Sequence, residues 1–130
     1  MMTPSRLVLV VDDEPDVCWA IETLLRAHHF AVVTAASGAE ALRWITTTQT
    51  GCDLILVDAK LTDIDGVDLA RRIRAETPCL APMIMVSGYF YKDDGVVLDT
   101  LRSGLVSAFV TKPFAHGEML ATIDEVLNRG

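Results

Sequence analysis

The apolar run 54–57 stops abruptly at Asp58. The run Leu7–Val11 stops at Asp12-Asp13, 82–86 at Ser87-Gly88, and 107–111 at Lys112-Pro113. Short branched apolar runs bounded by polar residues read as strands buried on both faces, as in parallel sheets. In such a sheet all carboxyl ends lie along one edge, and that edge is where open α/β sheets bind ligands. Any one acid after a strand is commonly a cap or turn residue. Three carboxylates, a hydroxyl and an ammonium arriving together point instead to a site.

Charge gives that set a chemistry. Two carboxylates about 4 Å apart repel by about 4 kcal/mol at an effective dielectric near 20. Asp12, Asp13 and Asp58 therefore need cations, and Lys112 with one divalent ion balances them. Hard oxygen ligands suit Mg²⁺, with Mn²⁺ as a substitute; Mg²⁺ keeps several waters and binds through one or two carboxylates plus phosphate oxygens. Beside such an ion Asp58 is a candidate nucleophile toward a phosphoryl group, as in other carboxylate nucleophiles. The metal and Lys112 would neutralise the transferring oxygens, and Ser87 could donate its hydroxyl to the new phosphate.

The elements that must position these residues are legible as an alternation. A fifth apolar run, Ala31–Ala35, completes the set of strands. Between the runs, Val17, Ile21, Leu24 and Leu25 share one helical face. Ser37 with Glu40 forms a capping box ahead of Ala41, Leu42 and Ile45. A third helix follows Asp65-Gly66, with Val67, Ala70 and Ile73 on a stripe. A last one, over 115–128, turns Met119, Leu120, Ile123, Val126 and Leu127 inward. The fourth, in 94–103, is the weakest, because Gly95 lies inside it and Gly costs about 1 kcal/mol relative to Ala in a helix interior. Strict β-α alternation argues for a parallel sheet with helices on both faces. Right-handed crossovers leave few topologies. The doubly wound, flavodoxin-like order 2-1-3-4-5 suits five strands and puts the switch point between strands 1 and 3.

Bulk properties narrow the class. The 130 residues are the size of one domain, read here as 1–130 with no linker and no output domain. No apolar run nears the roughly 18 residues that span a bilayer, and 1–6 lacks the pattern of a signal peptide, so a cytoplasmic protein is expected. A net charge of −7 argues against nucleic acid as a direct partner of this domain. Arg71, Arg72 and Arg74, the densest basic group, read as a solvated helix face. Cys18, Cys52 and Cys79 are odd in number and widely spaced, and read as buried thiols in a reducing compartment. His28, His29 and His116 share no metal spacing and are read as lying away from the acids. Trp19 and Trp44 are expected to pack partly on helices 1 and 2, and Asp63, Asp65 and Asp68 to serve turns and caps.

Over essentially its whole length the chain resembles the receiver domains of two-component response regulators. The resemblance is carried by Val10-Val11-Asp12-Asp13-Glu14-Pro15, by 54–58, by Asp65-Gly66, by Ser87-Gly88 and by Lys112-Pro113-Phe114. It implies phosphoryl transfer from the phosphohistidine of a histidine kinase, or of a phosphotransfer protein, to Asp58. It further implies Mg²⁺ on Asp13, Asp58 and the Lys60 backbone carbonyl, with Asp12 acting through water. Ser87 and Lys112 would bind the phosphate, Lys112-Pro113 would be cis, and Phe109 matches an aromatic switch. Phosphorylation replaces one carboxylate charge by a dianion rich in acceptors. The face formed by helix 4, strand 5 and helix 5 would change in response and control a downstream protein or a fused output domain, or pair two copies as a homodimer.

Three departures from the family pattern stand out. Leu61-Thr62 replaces the usual Met-Pro, so that loop is expected to be less rigid. The span from Ser87 to Lys112 is a few residues longer than usual, with Tyr89-Phe90-Tyr91 and Asp93-Asp94-Gly95 as the extra material. Lys60 and Tyr89 occupy positions that influence attack by water, and together they predict slow self-dephosphorylation. A metal-dependent phosphatase with an Asp nucleophile is the alternative reading, but it wants a second acid two residues after the nucleophile. Lys60 stands there. A nucleotide- or flavin-binding domain would need a glycine-rich loop, and none is present.

Overall fold

The computed structural model describes residues 5–48, 51–88 and 95–129, the side chain of Val96 excepted. Five strands, β1 (Leu7–Val11), β2 (Ala31–Ala35), β3 (Leu54–Asp58), β4 (Met83–Ser87) and β5 (Ala108–Thr111), form one parallel sheet in the order β2-β1-β3-β4-β5. Five helices alternate with them: α1 (Pro15–Ala27), α2 (Gly38–Thr47), α3 (Gly66–Glu76), α4 (Gly95–Arg102) and α5 (His116–Asn128). The expected order and alternation are both present.

The two-residue period of the strands divides the core into two layers. Val8, Val10, Leu54, Leu56, Ile84, Val86 and Val110 face one side, against Ile21, Leu24 and Leu25 of α1 and Met119, Ile123 and Val126 of α5. Leu9, Val11, Ile55, Val57, Met83 and Met85 face the other, against Ala41 of α2 and Leu69, Ala70 and Ile73 of α3. A strand with both faces covered has no polar position to spare. That is why 54–57 is apolar throughout, and why Asp58, still within β3, is out of place unless it has a task. Burial of each such side chain contributes about 1.5–3 kcal/mol.

Two helix starts bear on the site. At α2, Ser37 Oγ accepts the Glu40 amide at 3.1 Å and Glu40 Oε2 accepts the Ala36 amide at 3.3 Å, close to the expected reciprocal cap. Asp63, from the loop after β3, adds to it by accepting the Gly38 and Ala39 amides at 3.0 Å each. The β3–α3 loop is thereby fastened to a neighbouring βα unit. Gly95 opens α4 and so escapes the penalty of a helix interior, while among the described side chains of α4 Val97 and Thr100 are buried.

Several surface readings change. Arg71 and Arg72 do lie on a solvated face, paired with Asp68 and Glu76. Arg74 does not: its guanidinium donates to the carbonyls of Cys79 at 3.0 Å and Ala81 at 2.6 Å, because the chain turns back beneath it. Trp19, expected to pack, is 70% exposed, since α1 turns Ile21, Leu24 and Leu25 to the sheet instead. All three cysteines are only partly buried, packing against the margins of the core from the first turn of α1 and from the loops before β3 and β4. No helix among the described residues is long and apolar enough to cross a membrane.

Candidate phosphoacceptor and metal site

The polar residues at the strand ends converge because the ladder carries them there. β3 lies between β1 and β4, with Val57 opposite Val11 and Asp58 opposite Val86. The pairing continues one step past the strands, where the Asp12 amide donates to Ala35 O at 3.0 Å, that of Ala59 to Val86 O at 2.9 Å, and that of Lys112 to Ser87 O at 2.8 Å. Asp12, Ala59 and Lys112 are thus held as rigidly as the sheet. The Lys112-Pro113 bond is cis, as expected.

Lys112 Nζ lies 2.9 Å from Asp12 Oδ2, 3.5 Å from Asp58 Oδ1 and 3.9 Å from Glu14 Oε1. Asp12, Asp58 and Ser87 are buried, and Asp13 is partly so. Carboxylate oxygens of Asp12, Asp13, Glu14 and Asp58 all come within 4.8 Å of one another. Four acids facing one ammonium leave a surplus of negative charge, most of which a divalent cation would neutralise. Every donor is a hard oxygen, and the cluster has an open flank, so the residues fit Mg²⁺.

Burial raises the Asp58 carboxyl above its ordinary value and the charge of Asp12 adds to this; the Lys60 amide, 3.3 Å from Oδ1, and Lys112 pull the other way without reversing it. Burial depresses the Lys112 ammonium, but its bond to Asp12 and the charges of Asp12, Asp58 and Glu14 outweigh that and hold it above the usual value. Lys112 therefore remains charged at neutral pH, and ionised Asp58 is the strained member of the cluster.

This strain has a measurable consequence. A carboxyl whose folded pKa is raised destabilises the fold once ionised. The cost is absent below the unfolded value of 3.8, grows as pH rises toward the folded value, and is constant above it. In metal-free buffer at neutral pH, Asp58→Asn should stabilise the protein by about 1 kcal/mol in urea denaturation, a typical size for one substitution. The gain should vanish in acid and reverse when Mg²⁺ is added, because the cation favours the carboxylate.

Not every expected residue belongs to the cluster. Phe109 is partly buried in the layer with α2 and α3. His116 opens α5 at this same edge of the sheet, contrary to the expectation that it lies away, although it is not among the clustered ligands. Tyr89 falls outside the described residues. Two participants escaped the sequence reading. Glu14 joins the acids, and its amide donates to Asp12 Oδ1 at 2.9 Å; the contiguity of Asp12-Asp13-Glu14 was the available signal. Thr62 donates its hydroxyl to Asp13 Oδ2, so the residue in place of the usual proline restrains a cluster acid directly. Leu61 is buried and its amide donates to Ile64 O at 3.2 Å. This loop is tied down by contacts that its composition does not announce.

Comparison with known proteins agrees with this geometry. The model of the response regulator receiver domain matches residues 8–124. The chain is 37% identical over 125 residues to the transcriptional regulatory protein PrrA of Mycobacterium leprae, covering 96% of this chain and 51% of that one. It is 34% identical over 123 residues to the transcriptional regulatory protein KdpE of Mycobacterium tuberculosis, covering 95% and 51%. The chain thus spans about half the length of these curated relatives. A response regulator receiver domain protein from Clostridium thermocellum superposes with a TM-score of 0.81 at 27% identity, covering 95% of both chains. A CheY-like receiver domain from Methanospirillum hungatei gives 0.82 at 26% identity, covering 96% and 95%. With the five-stranded sheet, the acid cluster at its switch point and a family match over nearly the whole chain, this protein belongs to the response regulator receiver domains of two-component signalling systems.

Proposed function

We propose that Asp58 accepts a phosphoryl group from the phosphohistidine of a histidine kinase or phosphotransfer protein. The observation that carries this reading is a buried carboxylate at the end of a wholly apolar strand, 3.5 Å from an ammonium and within a cluster of acids suited to Mg²⁺. An Asp58 oxygen attacks phosphorus as the bond from phosphorus to the imidazole nitrogen breaks, and that electron pair leaves with the imidazole. Asp13 and Asp58 would hold Mg²⁺, with Asp12 and the Lys60 carbonyl completing the set, and the bound ion would supply charge neutralisation at the transferring oxygens. Lys112 does the same from the protein side, and Ser87 donates a hydrogen bond to the product.

In this reading, Ser87 moving toward the phosphate frees space into which Phe109 turns, and the face made of α4, β5 and α5 changes its partner preference. The output is a downstream protein or a fused domain, since the curated relatives are about twice as long and are named as transcriptional regulators. Receiver domains are signalling proteins, and the chemistry of this one is its own phosphorylation and the reversal of that step. Lys60 shields the phosphoryl group from water and slows that reversal.

The test is intact mass after incubation with acetyl phosphate. With Mg²⁺ one phosphoryl adduct is expected, absent in chelator and mapping to Asp58 after borohydride trapping and digestion. Metal-dependent turnover of small phosphoesters without an adduct would instead favour the phosphatase. An adduct on any other residue would also overturn the assignment.

A further inference from the structure

At the opposite edge of the sheet, the amino ends of β3 and β4 bring together two cysteines that are 27 positions apart in sequence. Ile55 pairs with Met83, and the Ile55 amide donates to Pro82 O at 3.0 Å. Continued backwards, that register sets Cys52 beside the segment containing Cys79. Both side chains line one open groove, with Trp44, Ile45, Pro78 and Leu80. Both are free and partly buried, and both pack against the core layer shared with α2 and α3. The segment carrying Cys79 is held in one shape, its amide donating to Thr77 Oγ1 at 3.1 Å and its carbonyl accepting from Arg74 at 3.0 Å.

We propose that Cys52 and Cys79 form a dithiol modification site, which closes to an intramolecular disulfide by exchange with an oxidised low-molecular-weight thiol. The roles follow from the surroundings. The neighbouring Cys52 thiol, with smaller help from the Ala81 backbone and from the Arg74 guanidinium that holds this segment, keeps the Cys79 thiol below its ordinary value. The same proximity, with burial, pushes Cys52 up. Cys79 is thus the nucleophilic thiolate and Cys52 the resolving thiol. The Cys79 thiolate attacks one sulfur of the small disulfide, forming a mixed disulfide and expelling one small thiolate. Cys52 then gives up its proton and attacks Cys79 Sγ, expelling the second. The protein loses two protons and two electrons, and one small disulfide becomes two small thiols. The product would clamp the loop before β3 to the loop before β4, far from Asp58. This reading is independent of the phosphoacceptor assignment.

The test uses the unaltered chain. It is incubated with oxidised glutathione, quenched in acid, and its remaining thiols are labelled with a maleimide under denaturing conditions. Three labels are expected before treatment and one after, with dithiothreitol restoring three and digestion yielding a Cys52–Cys79 linked peptide. Cys52→Ser should stop at a stable glutathione adduct on Cys79, and Cys79→Ser should lose most of the reaction, each checked for native circular dichroism. Retention of three labels, persistent glutathione adducts on the unaltered chain, or a linkage between two chains would each overturn the proposal.

Discussion

Lys112→Met should slow phosphorylation of the protein by acetyl phosphate about 10²–10³-fold, the usual cost of removing one preorganised group that stabilises transition-state charge. Lys112 Nζ sits between Asp12 Oδ2 at 2.9 Å and Asp58 Oδ1 at 3.5 Å, so it is already placed where the transferring oxygens would arrive. The same change should leave Mg²⁺ binding intact or tighten it, because the surviving carboxylates lose a close competitor for a cation. That split distinguishes loss of a catalytic charge from collapse of the site, which would weaken both. Stability should respond in the opposite sense to Asp58→Asn. Without metal, Asp12 is left buried and unpaired, and breaking a buried pair from one side costs up to about 3–5 kcal/mol. Lys112 is partly exposed at 18%, which places the expected loss near the low end. Mg²⁺ should recover most of it. A phosphorylation time course, a calorimetric Mg²⁺ titration and urea denaturation with and without the ion together check all three expectations.

What could be read in the sequence was whatever a local pattern records. The two layers of the core follow from alternation in 82–86 and its counterparts. The convergence of Asp12, Asp58 and Lys112 follows from the rule that parallel strands end on one side. Ser37 and Glu40 announce their helix within four residues. The unread parts are contacts between loops of different βα units, for which no period exists. Asp63 caps α2 across 24 residues, Thr62 reaches Asp13 across 49, and Cys52 meets Cys79 only because β3 and β4 are neighbours. Trp19 misled for a related reason. A large apolar ring suggests burial by its type, but the helical face it occupies is decided by Ile21, Leu24 and Leu25 together, and they point elsewhere.

Gly66→Ala should destabilise the protein by about 3 kcal/mol, at the upper end of ordinary single substitutions, and impair phosphorylation as well. The added methyl group would collide with the Asp58 carbonyl oxygen and lie 2.7 Å from Met85 Sδ and 2.9 Å from Ala59 Cα. Only the sulfur end can give way. The other two contacts are backbone, so either the start of α3 lifts off the sheet or the end of β3 shifts. The Gly66 amide donates to Ala59 O at 2.8 Å, and Lys60 bridges to Asp65, so the movement cannot be confined to the glycine. It must reach Asp58 and the loop carrying Lys60, which is how a substitution with no polar atom alters a charged site. Gly117 is the control. A Cβ there meets nothing within 4 Å, and it lies in the first turn of α5, so Gly117→Ala should stabilise by about 0.5 kcal/mol through helix propensity and leave the phosphorylation rate unchanged. The same added methyl group is expected to act with opposite sign at the two positions. Equal effects in thermal denaturation would mean that the close packing of α3 against β3 does not position Asp58.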